Sequence, residues 1–214
     1  WRGNTTHSGG GMYNESASIS SSSNPTLTNV TFSNNSATNY GGGLYNVVSS
    51  PTLRNTIFWG NSASKGGAQI RNGYGATTII SESVVQSGCP AESTCTNIII
   101  ADPMLGSLGD YGGYTQTIPL RPGSSAIDVG NGTYCTAGSD QRGVSYVGAC
   151  DIGAFESRGF TLAKTGGDNQ STLANTAFTY PLTLSVTSAF NEPVNGGMVT
   201  FTTPVSGASA VIIG

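Results

Sequence analysis

Charge is what this sequence has least of. Only 9% of its 214 residues are Asp, Glu, Lys or Arg, and the formal net charge is -3. Eight basic residues in a chain of this length make no patch that could gather phosphates, which argues against a nucleic-acid partner. Acids are scarcest in residues 1–100, where only Glu15, Glu82 and Glu92 occur. A polysaccharide lyase or hydrolase needs paired carboxylates flanking a sugar bond, or a calcium-holding cluster beside a proton acceptor. None of the three acids recurs at a spacing that would bring it near another, so catalysis there is disfavoured. No cofactor motif is present. No apolar run approaches the roughly 20 residues that cross a bilayer. Helical periodicity is missing as well, so essentially no helix is expected.

Cysteine is sparse and paired. Cys89 with Cys95 and Cys135 with Cys150 suggest two small-loop disulfides formed in an oxidising compartment. The rival is a zinc site, which the absence of a CxxC pair and the solitary, distant His7 disfavour. Trp1 opens in the middle of a repeat, and a longer exported precursor is the expectation.

What the sequence does have is repetition. Gly9-Gly10-Gly11-Met12-Tyr13-Asn14 returns as Gly41-Gly42-Gly43-Leu44-Tyr45-Asn46 and, weakened, as Gly66-Gly67-Ala68-Gln69-Ile70. The phrase from Asn24 to Ala37 returns from Ser50 to Ala63, a separation of about 26 residues that suits one turn of a solenoid. A disordered tract rich in Asn, Ser and Thr would keep no such phase. Runs such as Leu27–Phe32, Leu53–Phe58 and Ala76–Val85 read as short strands between Gly, Asn and Pro turns. Aligned at that period, Leu27, Leu53 and Ile79 form one stacked column and Phe32, Phe58 and Val84 another. Each coil would bury its apolar face against its neighbours about 4.8 Å away. Glycine serves the sharp turns, and Asn35 and Asn61 are expected to hydrogen-bond up a column beside them. Between Asn14 and Pro25 a serine-rich insertion, residues 15–24, should leave the shaft as a bulge. The expected fold is all-β, with right-handed parallel β-helix coils over residues 1–100.

The joint recurrence of Gly-Gly-[Leu/Met]-Tyr and Phe-x-x-Asn resembles the repeat of polymorphic outer-membrane proteins and related bacterial surface β-helices. After Ile100 the period breaks. Ala101-Asp102-Pro103, Asp110-Tyr111-Gly112-Gly113, Leu120-Arg121-Pro122-Gly123, Asp140-Gln141-Arg142-Gly143 and Asp151-Ile152-Gly153-Ala154-Phe155-Glu156 follow in order. These phrases resemble the region that follows the coils in bacterial surface proteins of the choice-of-anchor Q type, which implies export toward a surface anchor. A solenoid needs its last coil covered, so residues 101–158 are expected to cap the end. Asp128, Asp140 and Asp151 with Arg142 suggest a buried Asp/Arg lock or, less favoured, a calcium site.

Residues 159–214 alternate as strands: Gln170–Phe178, Pro181–Thr187 and Val199–Thr202. They read as the front half of a β-sandwich. Asn175-Thr176-Ala177-Phe178, Asn191-Glu192-Pro193-Val194, Val199-Thr200-Phe201 and Ser206–Ala210 resemble the bacterial Ig-like modules of invasin and intimin stalks, with Ser188 where that pattern has an aspartate. The resulting expectation is a non-catalytic secreted or surface protein, a stiff rod that is structural or adhesive. Its expected partner is itself, in filaments, or a surface glycan or host ligand. The alternative is a carbohydrate-binding or polysaccharide-degrading protein, for which Tyr13 and Tyr45 would stack sugars as a two-step ladder.

Overall fold

The computed structural model describes residues 1–18, 23–173 and 175–203. The middle of the serine-rich insertion and the segment Ser206–Ala210 lie outside the described residues. The architecture is all-β, with no α-helix among those residues and one 3-10 turn at Gly132–Tyr134.

The chain runs in circuits. The first holds β1 (Thr5–Thr6), β2 (Met12–Glu15), β3 (Thr26–Thr28) and β4 (Thr31–Ser33). The second holds β5 (Ser36–Ala37), β6 (Leu44–Val47), β7 (Thr52–Arg54) and β8 (Ile57–Trp59). A third holds β9 (Ser62–Ala63), β10 (Ile70–Gly73) and the long β11 (Thr78–Val85), and β12 (Ser93–Ile99) begins a fourth. Every strand pairs in parallel with its counterpart one circuit away: β1–β5–β9, β2–β6–β10, β3–β7–β11–β12 and β4–β8–β11. These curled parallel sheets are compatible with a parallel β-helix.

Turns recur in register because their residues tolerate the left-handed region. Asn29, Asn55, Glu82 and Asn97 all have φ between 47° and 54°, one per circuit, where the chain bends within its paired strands. Asn enters that region at little cost. The doubled glycines answer a second constraint, since a Cβ on Gly10 would lie 2.3 Å from the carbonyl oxygen of Gly42, and one on Gly42 equally close to that of Ser62. Backbones of adjacent circuits touch there.

The columns differ from the expected ones by one residue in the third circuit. Leu27 pairs with Leu53, but Leu53 pairs with Ile80; Ile79 lies opposite Thr52 and is 50% exposed. Likewise Phe32 stacks on Phe58 at 4.5 Å, and Phe58 pairs with Val85, while Val84 lies opposite Ile57. The cause is a single extra residue. Gly73 aligns with Val47 and Ile79 with Thr52, so six steps in the third circuit replace five in the second. A slip of one residue turns every side chain to the other face, which is why Ile80 rather than Ile79 reaches the core.

The interior consists of Phe32, Leu44, Leu53, Phe58, Ile70, Ile80 and Val85. A second cluster lies on the outside of β4, β8 and β11, where Ile57 and Val84 meet Leu120, Ala126, Ile152 and Phe155. Residues 101–158 therefore do not simply close the end of the stack. They lie along its flank, touching Thr31 in the first circuit, Ile57 in the second, Val84 in the third and Ile99 in the fourth. Apart from isolated bridges, such as Leu105 with Leu120, this layer is irregular. Asn55 ties it down by exchanging two hydrogen bonds with the backbone of Asn131.

In the tail, β13 (Thr161–Gly166) and β14 (Thr183–Thr187) form a two-stranded antiparallel ribbon. Only the second of these lies in an expected strand. The described parts of 170–178 and 199–202 form none, because they find no partner strand among the described residues. The chain instead docks back on the flank layer, where the Met198 amide donates to the Pro122 carbonyl at 2.7 Å.

Candidate functional site

Three constellations merit chemical scrutiny. The first is the amide columns inside the stack. Asn14, Asn46 and Asn72 are buried, and each donates to the next, Asn14 to Asn46 at 3.3 Å and Asn46 to Asn72 at 3.0 Å. Asn72 ends this column on the carbonyls of Ala91 and Glu92, in the loop closed by Cys89–Cys95. On another side Asn35 donates to Asn61 at 3.0 Å, and Asn61 to Gln69 at 2.7 Å. These amides satisfy the turns that the circuits bury. They hold the circuits together, and Gln69 and Asn72 also border an open cleft beside β10.

The second lies in the flank layer. Arg142 is buried and reaches Asp140 at 2.7 Å, the carbonyl of Glu156, and the face of Phe155 at 3.5 Å. Asp140 also accepts from the backbone amides of Arg142, Val144 and Glu156. Asp151 accepts from the amides of Asp128 and Ser157, and Glu156 from those of Val147 and Asp151. Asp128 itself is exposed and joins through its backbone only. Burial pushes the Asp151 carboxyl up to about 8 despite its two backbone donors, and burial also raises Glu156. Every oxygen of Asp140, Asp151 and Glu156 is committed to protein donors, so these carboxylates hold loops together rather than face substrate. Among the described residues, no group of three or more His, Cys, Asp or Glu is placed to hold a metal ion. The disulfide Cys135–Cys150 closes the same layer.

Sequence reasoning missed two members. Glu156 ends the phrase that begins at Asp151, and its place in that phrase was the available signal. Glu192 is buried too, taking Ser157 Oγ at 2.9 Å and the Arg158 amide at 3.0 Å. It fastens the tail to the layer.

The third constellation is on the surface. Tyr13 of β2 pairs in register with Tyr45 of β6, and Tyr45 with Arg71 of β10. The two rings of the expected two-step ladder meet edge to face, 5.5 Å apart at 76°. Tyr40 adds a third ring 5.9 Å from Tyr45, and the Arg71 guanidinium sits 5.5 Å over Tyr40. A Cβ on Gly73 would be 3.1 Å from the Tyr45 hydroxyl, so the missing side chain makes room for that ring. Tyr74 follows, 79% exposed. Desolvation, then the neighbouring Glu15 carboxylate that Tyr13 hydrogen-bonds, raise the Tyr13 phenol; desolvation and Tyr74 raise Tyr45 against the pull of Arg71.

Two open clefts lie on the surface of the described residues, of about 230 Å³ beside β10 and about 270 Å³ between Trp1 and the flank layer. Glu92 is the one acid lining the former, and the latter has none. Neither pairs two carboxylates. No protein-family model, no curated protein and no solved structure matches this chain. No helix among the described residues is long and apolar enough to cross a membrane.

Proposed function

We propose that this chain is a non-catalytic, exported structural or adhesive protein whose coils form a right-handed parallel β-helix. The observation that carries the reading is where its buried polar groups are spent. Asparagine columns run from circuit to circuit, and the buried carboxylates of the flank layer are all bound to protein donors. Such an interior stiffens a shaft and leaves no acid–base pair free for chemistry. The right hand follows from the strong preference of parallel strands joined by returning connections. Two disulfides suit an oxidising, extracellular compartment.

Resemblance to surface proteins of the choice-of-anchor Q type, with coils like those of polymorphic outer-membrane proteins, supports display at a bacterial surface. In that reading the β13–β14 ribbon is the beginning of an Ig-like stalk module. Electron microscopy of native material tests the reading. Single rods or filaments with a regular axial rise are expected, whereas dispersed monomers at high concentration count against filament assembly. Release of reducing ends from a polysaccharide, abolished by replacing one acidic residue, would overturn the non-catalytic assignment.

A further inference from the structure

We infer that the tyrosine face of β2, β6 and β10 is a binding site for a neutral, β-linked pyranose chain. The inference deepens the adhesive reading above by naming a ligand class, and it rests on that reading only for its biological use. Four features of the face select the ligand. Tyr13 and Tyr45 stand in register one strand spacing apart, about 4.8 Å and close to the length of one pyranose unit, while in the third circuit Arg71 takes that position and Tyr74 follows three residues on.

Its rings also differ in exposure. Tyr13 and Tyr74, at 48% and 79%, present open faces, while Tyr40 and Tyr45 sit lower between them and are braced by each other and by Arg71. Ordering such rings costs little on binding, since Tyr has few rotatable bonds and two of these are already packed. Polar groups rim the rings: four phenol hydroxyls, the Arg71 guanidinium and the Glu15 carboxylate can meet sugar hydroxyls in both donor and acceptor roles. Finally, one cation and one anion balance, so the face offers no net field to select a polyanion.

Tyr and Arg also anchor protein interfaces; what favours a sugar here is the rim of hydroxyl, guanidinium and carboxylate groups around open tyrosine rings, with no aliphatic side chain among the in-register Tyr13, Tyr45 and Arg71. A sugar whose ring substituents are all equatorial has a flat C–H face that lies on an aromatic ring with its hydroxyls pointing to the rim. Chains of β-1,4-linked glucose, N-acetylglucosamine or xylose have that shape. Those with axial hydroxyls lack it.

The test is a titration of the full chain with cellohexaose, chitohexaose and xylohexaose, followed by isothermal calorimetry and by tyrosine side-chain NMR signals. At least one is expected to bind at up to millimolar concentration. Tyr13→Ala and Tyr74→Ala should each weaken it by about three- to tenfold, as the loss of one stacked ring implies. Tyr13→Phe should keep most of the affinity. Tyr114→Ala should leave it unchanged, because Tyr114 is fully exposed in the flank layer, away from the face. Both alanine sites are exposed, so thermal melts should match the parent and exclude misfolding. The proposal fails if none of the three sugars binds, or if Tyr114→Ala weakens binding as much as the face variants do. Rods that ignore every sugar would sink this inference and spare the structural reading; sugar binding by a chain that is no rod would do the reverse.

Discussion

The one-residue offset in the third circuit makes a sharp prediction about two neighbouring isoleucines. Ile80 is fully buried between Leu53 and Cys95, whereas Ile79 points outward and is half exposed. Truncating a buried isoleucine to alanine removes its transfer free energy and leaves a cavity, together about 2–5 kcal/mol. For Ile79 no cavity forms. Half of a side chain whose full burial is worth about 1.5–3 kcal/mol is already in water, so Ile79→Ala should cost about 1 kcal/mol or less. With a urea m-value near the upper end of the usual range, about 3 kcal/mol/M, Ile80→Ala should lower the unfolding midpoint by about 1 M and Ile79→Ala by no more than about 0.3 M. Urea melts followed by far-ultraviolet circular dichroism measure both, and equal slopes for the two variants are needed for the comparison. The opposite ranking, with Ile79→Ala the costlier change, would refute the register and return the columns to the uniform period of the sequence.

Other expectations can be checked alongside. Asn55→Ala should destabilise by about 2–4 kcal/mol in the same assay, since it loses two hydrogen bonds to Asn131 and leaves alanine at φ 47°. Replacing Cys135 and Cys150 by serine should cost about 3 kcal/mol by loop-closure entropy, more than the same change at Cys89 and Cys95, whose loop is shorter; a larger loss at the second pair would contradict this. Arg142→Ala leaves Asp140 buried without its cation, and a drop of about 3–5 kcal/mol is expected, visible as a thermal shift. The carboxyls of Asp151 and Glu156 are raised in the folded chain, so between their unfolded values near 4 and the Asp151 value of about 8 the native state holds more protons than the unfolded one. Stability from these groups is thus present in acid and lost as pH rises through that window. Melting temperatures that climb steadily from pH 5 to 8, and do so equally in Asp151→Asn, would contradict that sign.

How much was legible beforehand depended on repetition. Leu27 and Leu53, Phe32 and Phe58, and the amides of Asn35 and Asn61 are related by a phrase that recurs, and the parallel registers follow that phrase. The third circuit departs from the period because its extra residue falls between Gly73 and Ile79, a turn with no counterpart phrase to count against. Period alone could not see it. The flank layer has no period, so nothing in its sequence told a side cover from an end cover; that depends on Ile57 and Val84 facing outward, a consequence of pairing. The surface face was half visible. Tyr13 and Tyr45 stood in the repeat, but Arg71 joined them only once Ile70 was aligned with Leu44, and Tyr40 and Tyr74 come from turns whose direction sequence does not specify. Glu192 was hidden for a different reason, since a carboxylate in a proline turn looks solvated until the tail is seen to fold back.

A stack of self-similar rungs ordinarily unravels from its ends, because each rung is held only by the two beside it. Here residues 101–158 act as a splint bound to Thr31, Ile57, Val84 and Ile99, one on every rung. Losing the outermost rung would mean peeling the splint, and peeling the splint would strip all four. The assembly should consequently let go in one sharp event, with amide exchange in the outermost strands nearly as slow as in the middle.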